Sequence, residues 1–169
     1  MQHELGRQTL NQSSVLAAST GIRQGWTSRL FLTLHSVAHW LGGHGLKPLG
    51  RVVQVLSRFL YGSDIDAMAC ISRRAVIPHT VGIVIGETTI IDEAAVIMPN
   101  VVLGARQSDL DGRRHPHICR GALVGAGAVV LGPVTIGENA KIGANSVVLE
   151  NVAPGTTVVG NPARQIERT

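Results

Sequence analysis

From Ile118 onward an aliphatic residue returns at every sixth position: Ile118, Val124, Val130, Ile136, Ile142 and Val148. Four places after each stands a small or β-branched residue: Ala122, Ala128, Val134, Ala140, Ser146 and Val152. Gly125, Gly137 and Gly143 directly follow three of the aliphatic positions. The same beat runs earlier through Ile65, Ile71 and Ile77, then Ile85, Ile91, Ile97 and Leu103. It slips by two residues at Ile83-Val84 and is interrupted between Leu103 and Ile118. An α-helix repeats near 3.6 residues and a strand at two, so neither explains a beat of six. A parallel β-helix with three flat faces per coil does. Each hexad then supplies one short strand and one turn. The aliphatic residue points inward, the small residue fits a corner, and glycine permits the turn backbone. Coils stack as parallel strands about 4.8 Å apart, and about four fit between Ile65 and Val152.

The aromatic residues support a narrow, regular interior. Trp26, Phe31, Trp40, Phe59 and Tyr61 all precede residue 62, and none follows. An irregular globular core uses rings to fill space; this one relies on Ile, Val, Leu and Ala. Charge divides at the same boundary. Six basic residues and one acidic residue precede residue 62, against nine basic and ten acidic after it. With 44% apolar and 15% charged residues, the composition is not that of a disordered chain. No apolar run is long enough to span a bilayer, and the Met1-Gln2-His3-Glu4 start does not read as a signal peptide. Cys70 and Cys119 make no disulfide framework. These features predict a cytoplasmic protein with no integral membrane association.

The first 61 residues follow another rule. Leu30, Leu34, Val37 and Leu41 fall at helical spacing, with Thr27 as N-cap and Gly42-Gly43 as terminator. Pro48 opens a second helix, whose apolar face is Leu49, Val52, Val53, Leu56, Phe59 and Leu60. The first twenty or so residues are polar and expected to be loose. Arg29, Lys47, Arg51 and Arg58 give the pair a basic surface, read as a solvated face. No nucleic-acid-binding motif accompanies it. His35 and His39 read as helix-surface residues. The expected layout is a helical segment over 1–61, a β-helix over 62–154 with an inserted loop at 105–117, and a tail over 155–169.

Four segments carry chemistry: Ser63-Asp64-Ile65-Asp66, the run from Pro78-His79 through Gly82-Ile83-Val84-Ile85-Gly86-Glu87-Thr88, Arg113-Arg114-His115-Pro116-His117 in the inserted loop, and Gly160-Asn161-Pro162-Ala163-Arg164. Together with the hexads they resemble the serine acetyltransferase family over roughly residues 28–166. The resemblance implies a mainly β fold, a left-handed parallel β-helix with a short N-terminal α-helical segment. It also implies acetyl-CoA as co-substrate, transfer to a hydroxyl, and a homotrimer with active sites between subunits. By position, His79 matches the family's general base, Asp64 the carboxylate that orients it, His115 a second active-site histidine, and Arg114 the arginine that meets the substrate carboxylate. Fifteen residues separate Asp64 from His79, so the two can share one corner on adjacent coils. Gly104, Ala105, Gly125, Ala126 and Gly127 are expected backbone contacts for the pantetheine, and Arg164 or Arg168 for the nucleotide phosphates.

One departure bears on the acceptor. The family carries aspartate just before the base histidine, where it helps hold an ammonium group; Pro78 stands there. L-serine is the expected acceptor, with Asp66 or Asp92 as substitute partners for the amine. A sugar or another small alcohol is the alternative. A non-catalytic or metal-binding hexapeptide-repeat protein is the reading from another class. His115 and His117 supply two metal ligands, but no third has matching spacing, so no metal is expected. An acetyl-cysteine route is disfavoured, because no basic group adjoins Cys70.

Overall fold

The computed structural model describes residues 25–106 and 112–166. The expectations for the first twenty residues and for Arg168 lie outside them, as does part of the inserted loop. Two helices, α1 (Trp26–Gly43) and α2 (Lys47–Tyr61), precede a coil of short strands numbered β1 to β14 in chain order. The first sheet stacks β1 (Asp64–Ile65), β3 (Val84–Ile85), β6 (Val102–Gly104), β9 (Val129–Leu131) and β12 (Val147–Val148). The second stacks β2 (Cys70–Ile71), β4 (Ile90–Ile91), β7 (His117–Ile118) and β10 (Thr135–Ile136). The third holds β5 (Val96–Ile97), β8 (Leu123–Val124), β11 (Lys141–Ile142), β13 (Thr157–Gly160) and β14 (Ala163–Ile166). The chain visits the three faces in that order as it winds, a left-handed parallel β-helix.

Parallel pairing puts like on like. Ile65 pairs with Ile85, Ile85 with Leu103, Leu103 with Val130, and Val130 with Val148. Ile91, Ile118 and Ile136 align on the second face, and Ile97, Val124 and Ile142 on the third. All of these lie in the core. Each carries about 1.5–3 kcal/mol of side-chain burial. Ala69, Ala75, Ala95, Ala122, Ala128 and Ala140 are fully buried at the corners, where a larger side chain has no room. The two-residue slip and the inserted loop leave this register intact, because the chain returns after each to the same inward position.

The segment expected as a tail closes the prism. β13 extends the third sheet beside β11, and β14 folds back on it antiparallel. Val158 and Ala163 thereby cover the open end of the core.

The helices depart from the sequence reading in three ways. Gly25, not Thr27, is the N-cap of α1, with no side-chain cap bond. α1 buries Ser28, Phe31, Leu32, His35, Ala38 and Gly42, a face next to the expected one, while Leu30 and Val37 are exposed. Both faces are apolar enough to pack; the small and hydrogen-bonding residues win because they approach the first coil closely. Accordingly His35 is buried: its Nε2 lies 3.0 Å from the Ala69 carbonyl, and His39 Nδ1 lies 3.0 Å from that of Ala67. Burial pushes the His35 imidazole down to about 4. Along α2 only Gly50 is buried, held against the Ala38 carbonyl with no space for a Cβ. Leu49, Val52, Leu56, Phe59 and Leu60 stay exposed. No described helix is long and apolar enough to cross a membrane.

Candidate active site

The sequence-selected residues gather at two edges of the first sheet. His79 falls between Val76, which bridges to β5 of the third face, and β3 of the first. It therefore occupies the corner where the third face turns into the first. Asp64 opens β1 at the same corner, one coil earlier. The two coils are tied there: Ser63 Oγ donates to the Thr80 carbonyl at 2.7 Å, and the Gly82 amide donates to the Gly62 carbonyl at 3.0 Å. The spacing argument thus delivers Asp64 and His79 to one corner.

No hydrogen bond joins their side chains among the described residues. Arg58 of α2 donates to Asp64 Oδ2 and forms an ion pair with it, and Gln54 Nε2 donates to Oδ1 at 3.4 Å. The Arg58 hydrogen bond, helped by Gln54, holds the Asp64 carboxyl below the usual carboxylate range. His79 is exposed. The carbonyl of Pro78, just before it, accepts from Ser28 Oγ of α1 at 3.3 Å. Where the family places an aspartate, this chain therefore has a backbone contact between helix and coil.

The opposite edge, where the first face turns into the second, is built around His115. The ring is buried. The Thr88 amide donates to its Nδ1 at 3.2 Å, and Thr88 Oγ1 lies 2.9 Å from the same atom. That hydroxyl oxygen also accepts from the amides of Arg114 and His115 at 3.0 and 3.1 Å. An amide can only donate, so Nδ1 carries a lone pair and the neutral ring holds its proton on Nε2. Burial pushes the His115 imidazole below its ordinary value, aided by the Arg114 charge and opposed by Glu87 and Asp66. Gly86 makes room for the ring: a Cβ there would come within 2.0 Å of Nε2. Arg114 pairs with Glu87 at 2.8 Å.

Sequence reasoning passed over Glu87 and Thr88, although both stand in the run that carries the resemblance. Asp66 acts electrostatically on His115, whereas Asp92 lies on the second face bonded to His117. Of the two carboxylates considered for an amine, Asp66 is the one that shares a cleft with Glu87. Asp66 and Glu87 share an open cleft of about 220 Å³ with Lys47, Arg51 and Gln54 of α2.

The residues chosen for CoA divide in the same way. Gly104 ends β6 and Ala105 follows it at the His115 edge, and Gly125, Ala126 and Gly127 lie between β8 and β9 at the His79 edge. Gly125 has backbone atoms of Ile142, Gly143 and Ala144 within 2.7–2.8 Å of any added Cβ. Gly127 has φ +69° and rests on Asn145 Oδ1. Arg164 is exposed on β14 and shares a cleft of about 400 Å³ with Arg106, a second guanidinium that the repeat pattern did not single out. One further cluster lies apart, on the second face: Asp92, His117 and Cys119, whose ligand atoms are all within 4.8 Å of one another.

With this geometry in place, comparison with known proteins becomes specific. Residues 115–150 match the bacterial transferase hexapeptide (six repeats) family model. The serine acetyltransferase of Synechococcus elongatus is 44% identical over 138 residues, 82% of this chain and 56% of that protein. A solved serine acetyltransferase in complex with cysteine superposes with a TM-score of 0.82 at 31% identity, covering 92% of this chain and 67% of that one. The chain belongs to the serine acetyltransferase family. A solved serine acetyltransferase in complex with CoA matches with a TM-score of 0.76 at 35% identity, covering 80% of this chain and 55% of that one. This family member spans about half the length of the curated relatives it matches, 56% of the cyanobacterial serine acetyltransferase, for instance.

Proposed function

We propose that the chain is an acetyl-CoA-dependent O-acetyltransferase acting on L-serine, as a homotrimer with its sites between prisms. The observation that carries this reading is the division of the site between two edges of one sheet. A face of about five residues separates them, on the order of 15 Å. One prism cannot bring His79 and His115 to a single substrate. A groove between neighbouring prisms can, by setting the His79 edge of one subunit against the His115 edge of the next. The family membership and the CoA complex of a relative support the donor.

In the reaction, an exposed His79 nitrogen accepts the proton of the acceptor hydroxyl. The oxygen attacks the thioester carbonyl, and the tetrahedral intermediate collapses with loss of the CoA thiolate, which recovers the proton from the His79 imidazolium. Such base catalysis is worth about 10²–10⁴-fold. Asp64, held anionic by Arg58 and Gln54, stabilises the imidazolium through charge. His115 presents an Nε2–H whose direction is set by Thr88. It donates to an acceptor oxygen and does not compete as a base. Arg114 meets a carboxylate, with Glu87 and Asp66 beside it for an ammonium group. Backbone amides at Gly104 and Gly125–Gly127 bind pantetheine, and Arg106 and Arg164 meet the phosphates. The two free cysteines fit a reducing cytoplasm.

A second reading, a non-serine alcohol as acceptor, is favoured by Pro78, which removes one carboxylate from the His79 corner. Acetyl-CoA with L-serine, homoserine and a sugar panel, followed by thiol release, decides between them. Serine-dependent release that vanishes in His79→Ala supports the proposal. Release with a sugar alone moves the acceptor to the second reading, and no release with any acceptor removes both.

A further inference from the structure

We propose that Asp92, His117 and Cys119 form a binding site for a zinc-type divalent cation on the second face of the prism, on the strands that follow the His115 edge. The site follows from strand geometry. Residues on either side of an inward one share the outer face of a strand, so His117 and Cys119 flank Ile118 and both point outward. In-register pairing of Ile91 with Ile118 stacks the residue after each, bringing Asp92 beside Cys119. A thiol, an imidazole and a carboxylate thereby converge from two coils. His117 Nε2 lies 3.0 Å from Asp92 Oδ2, and all three ligand atoms fall within 4.8 Å of one another. Tetrahedral zinc with bonds of about 2.0–2.3 Å needs ligand atoms roughly 3.3–3.8 Å apart, so closure requires a change of side-chain torsion and no movement of backbone.

The surrounding charge suits a cation. Glu93 and Glu138 line the same cleft as Asp92. Of the basic neighbours, Arg120 is paired with Glu93 at 2.7 Å. Arg113 turns its guanidinium onto the carbonyls of Pro133, His115 and Val134 at 2.7–3.1 Å. Thiolate with imidazole selects zinc over magnesium or calcium, which prefer oxygen ligands alone. On binding, the Cys119 thiol proton leaves to solvent, and the His117 ring proton moves from Nε2 to Nδ1 as Nε2 takes the metal. Water or Glu138 completes the fourth position. The ion ties the β4 coil to the β7 coil, immediately after the inserted loop. The inference stands whether or not the chain transfers acetyl groups.

The test uses the full chain, stripped with a chelator and titrated with Zn²⁺ against a competing indicator, and separately with Co²⁺ as a spectroscopic probe. The site predicts one zinc per chain and a thiolate-to-cobalt charge-transfer band. It also predicts zinc protection of Cys119, but not of the exposed Cys70, from alkylation. Cys119→Ser should abolish the band and weaken zinc by more than about 100-fold, beyond what a second-sphere change costs. His117→Gln, which keeps a polar side chain next to Asp92, should weaken zinc comparably and retain the far-ultraviolet spectrum of the fold. Wild-type zinc affinity in Cys119→Ser, absence of the cobalt band, or equal alkylation of Cys119 with and without zinc would overturn the assignment.

Discussion

His79 and His115 stand on opposite edges of one sheet, and their surroundings differ in the properties that govern proton transfer. His79 is exposed at a corner it shares with Asp64, whose carboxyl α2 holds below the usual carboxylate range. His115 is buried, its Nδ1 occupied by the Thr88 amide and its basicity lowered. The contrast teaches that one fold can hold two imidazoles in different environments at opposite edges of one sheet. The exposed ring meets solvent, while the enclosed ring is held by the Thr88 amide in a set direction. Neither histidine needs the other for its own orientation.

Substitutions can break the contrast or sharpen it. The largest effect is expected from His79→Ala: kcat for thiol release falls by about 10²–10⁴-fold with the KM for acetyl-CoA little changed. A turnover near wild type would remove the base assignment. Next, Gly86→Ala places a Cβ against His115 Nε2 and must displace the ring. Misplacement on the order of 1 Å costs up to about 10²-fold, so kcat should drop by that order with the circular dichroism of the coil retained. Unchanged kinetics would show that His115 takes no part. Thr88→Val removes the hydroxyl that accepts from two amides while leaving its own amide on Nδ1. A smaller loss, about tenfold or less, should appear mainly in the acceptor KM. Last, Arg58→Ala frees Asp64 from its ion pair, and an exposed pair contributes little to stability. The melting temperature should stay nearly constant, and the pH–rate profile should shift instead as Asp64 becomes available to His79. A profile identical to wild type would mean that Asp64 does not act on the base.

A fifth prediction concerns stability, and it sets His35 against His79 and His115. Its value falls from the ordinary 6.5 to about 4, so the folded state favours the neutral ring. The stabilising contribution is complete above about pH 6.5 and is lost as pH falls through about 4. Its size is about 3 kcal/mol at most. Urea unfolding from pH 7 to pH 4 should show this decline, and His35→Leu should flatten it. An equal slope in the variant would assign the pH dependence elsewhere.

The repeat made the coil legible because one inward position in six decides everything about the core. Residues such as Ile91 and Ile118 are found by counting, and an insertion cannot hide them. The corner shared by Asp64 and His79 was legible for the same reason. What spacing does not encode is the direction of a side chain, and here α2 claims the Asp64 carboxylate first. The helix pair was less legible, since α1 has apolar residues nearly all round. The face it buries includes Ser28, His35 and Gly42, of which His35 reads as a surface residue and Gly42 as a helix terminator in isolation. The Asp92–His117–Cys119 cluster escaped because Asp92 and His117 lie on either side of the inserted loop. No periodicity links them; only the register of stacked coils does.

The inserted stretch leaves after β6 and rejoins at β7 with Ile118 directly above Ile91. The lattice of inward residues therefore cannot sense how many residues the detour contains. Chain length at that one bend is a free variable thermodynamically, because lengthening an already long loop adds only about 0.6 kcal/mol per doubling. The scaffold can thus exchange the segment bearing Arg114 and His115 for another of different size while the spool beneath it stays the same.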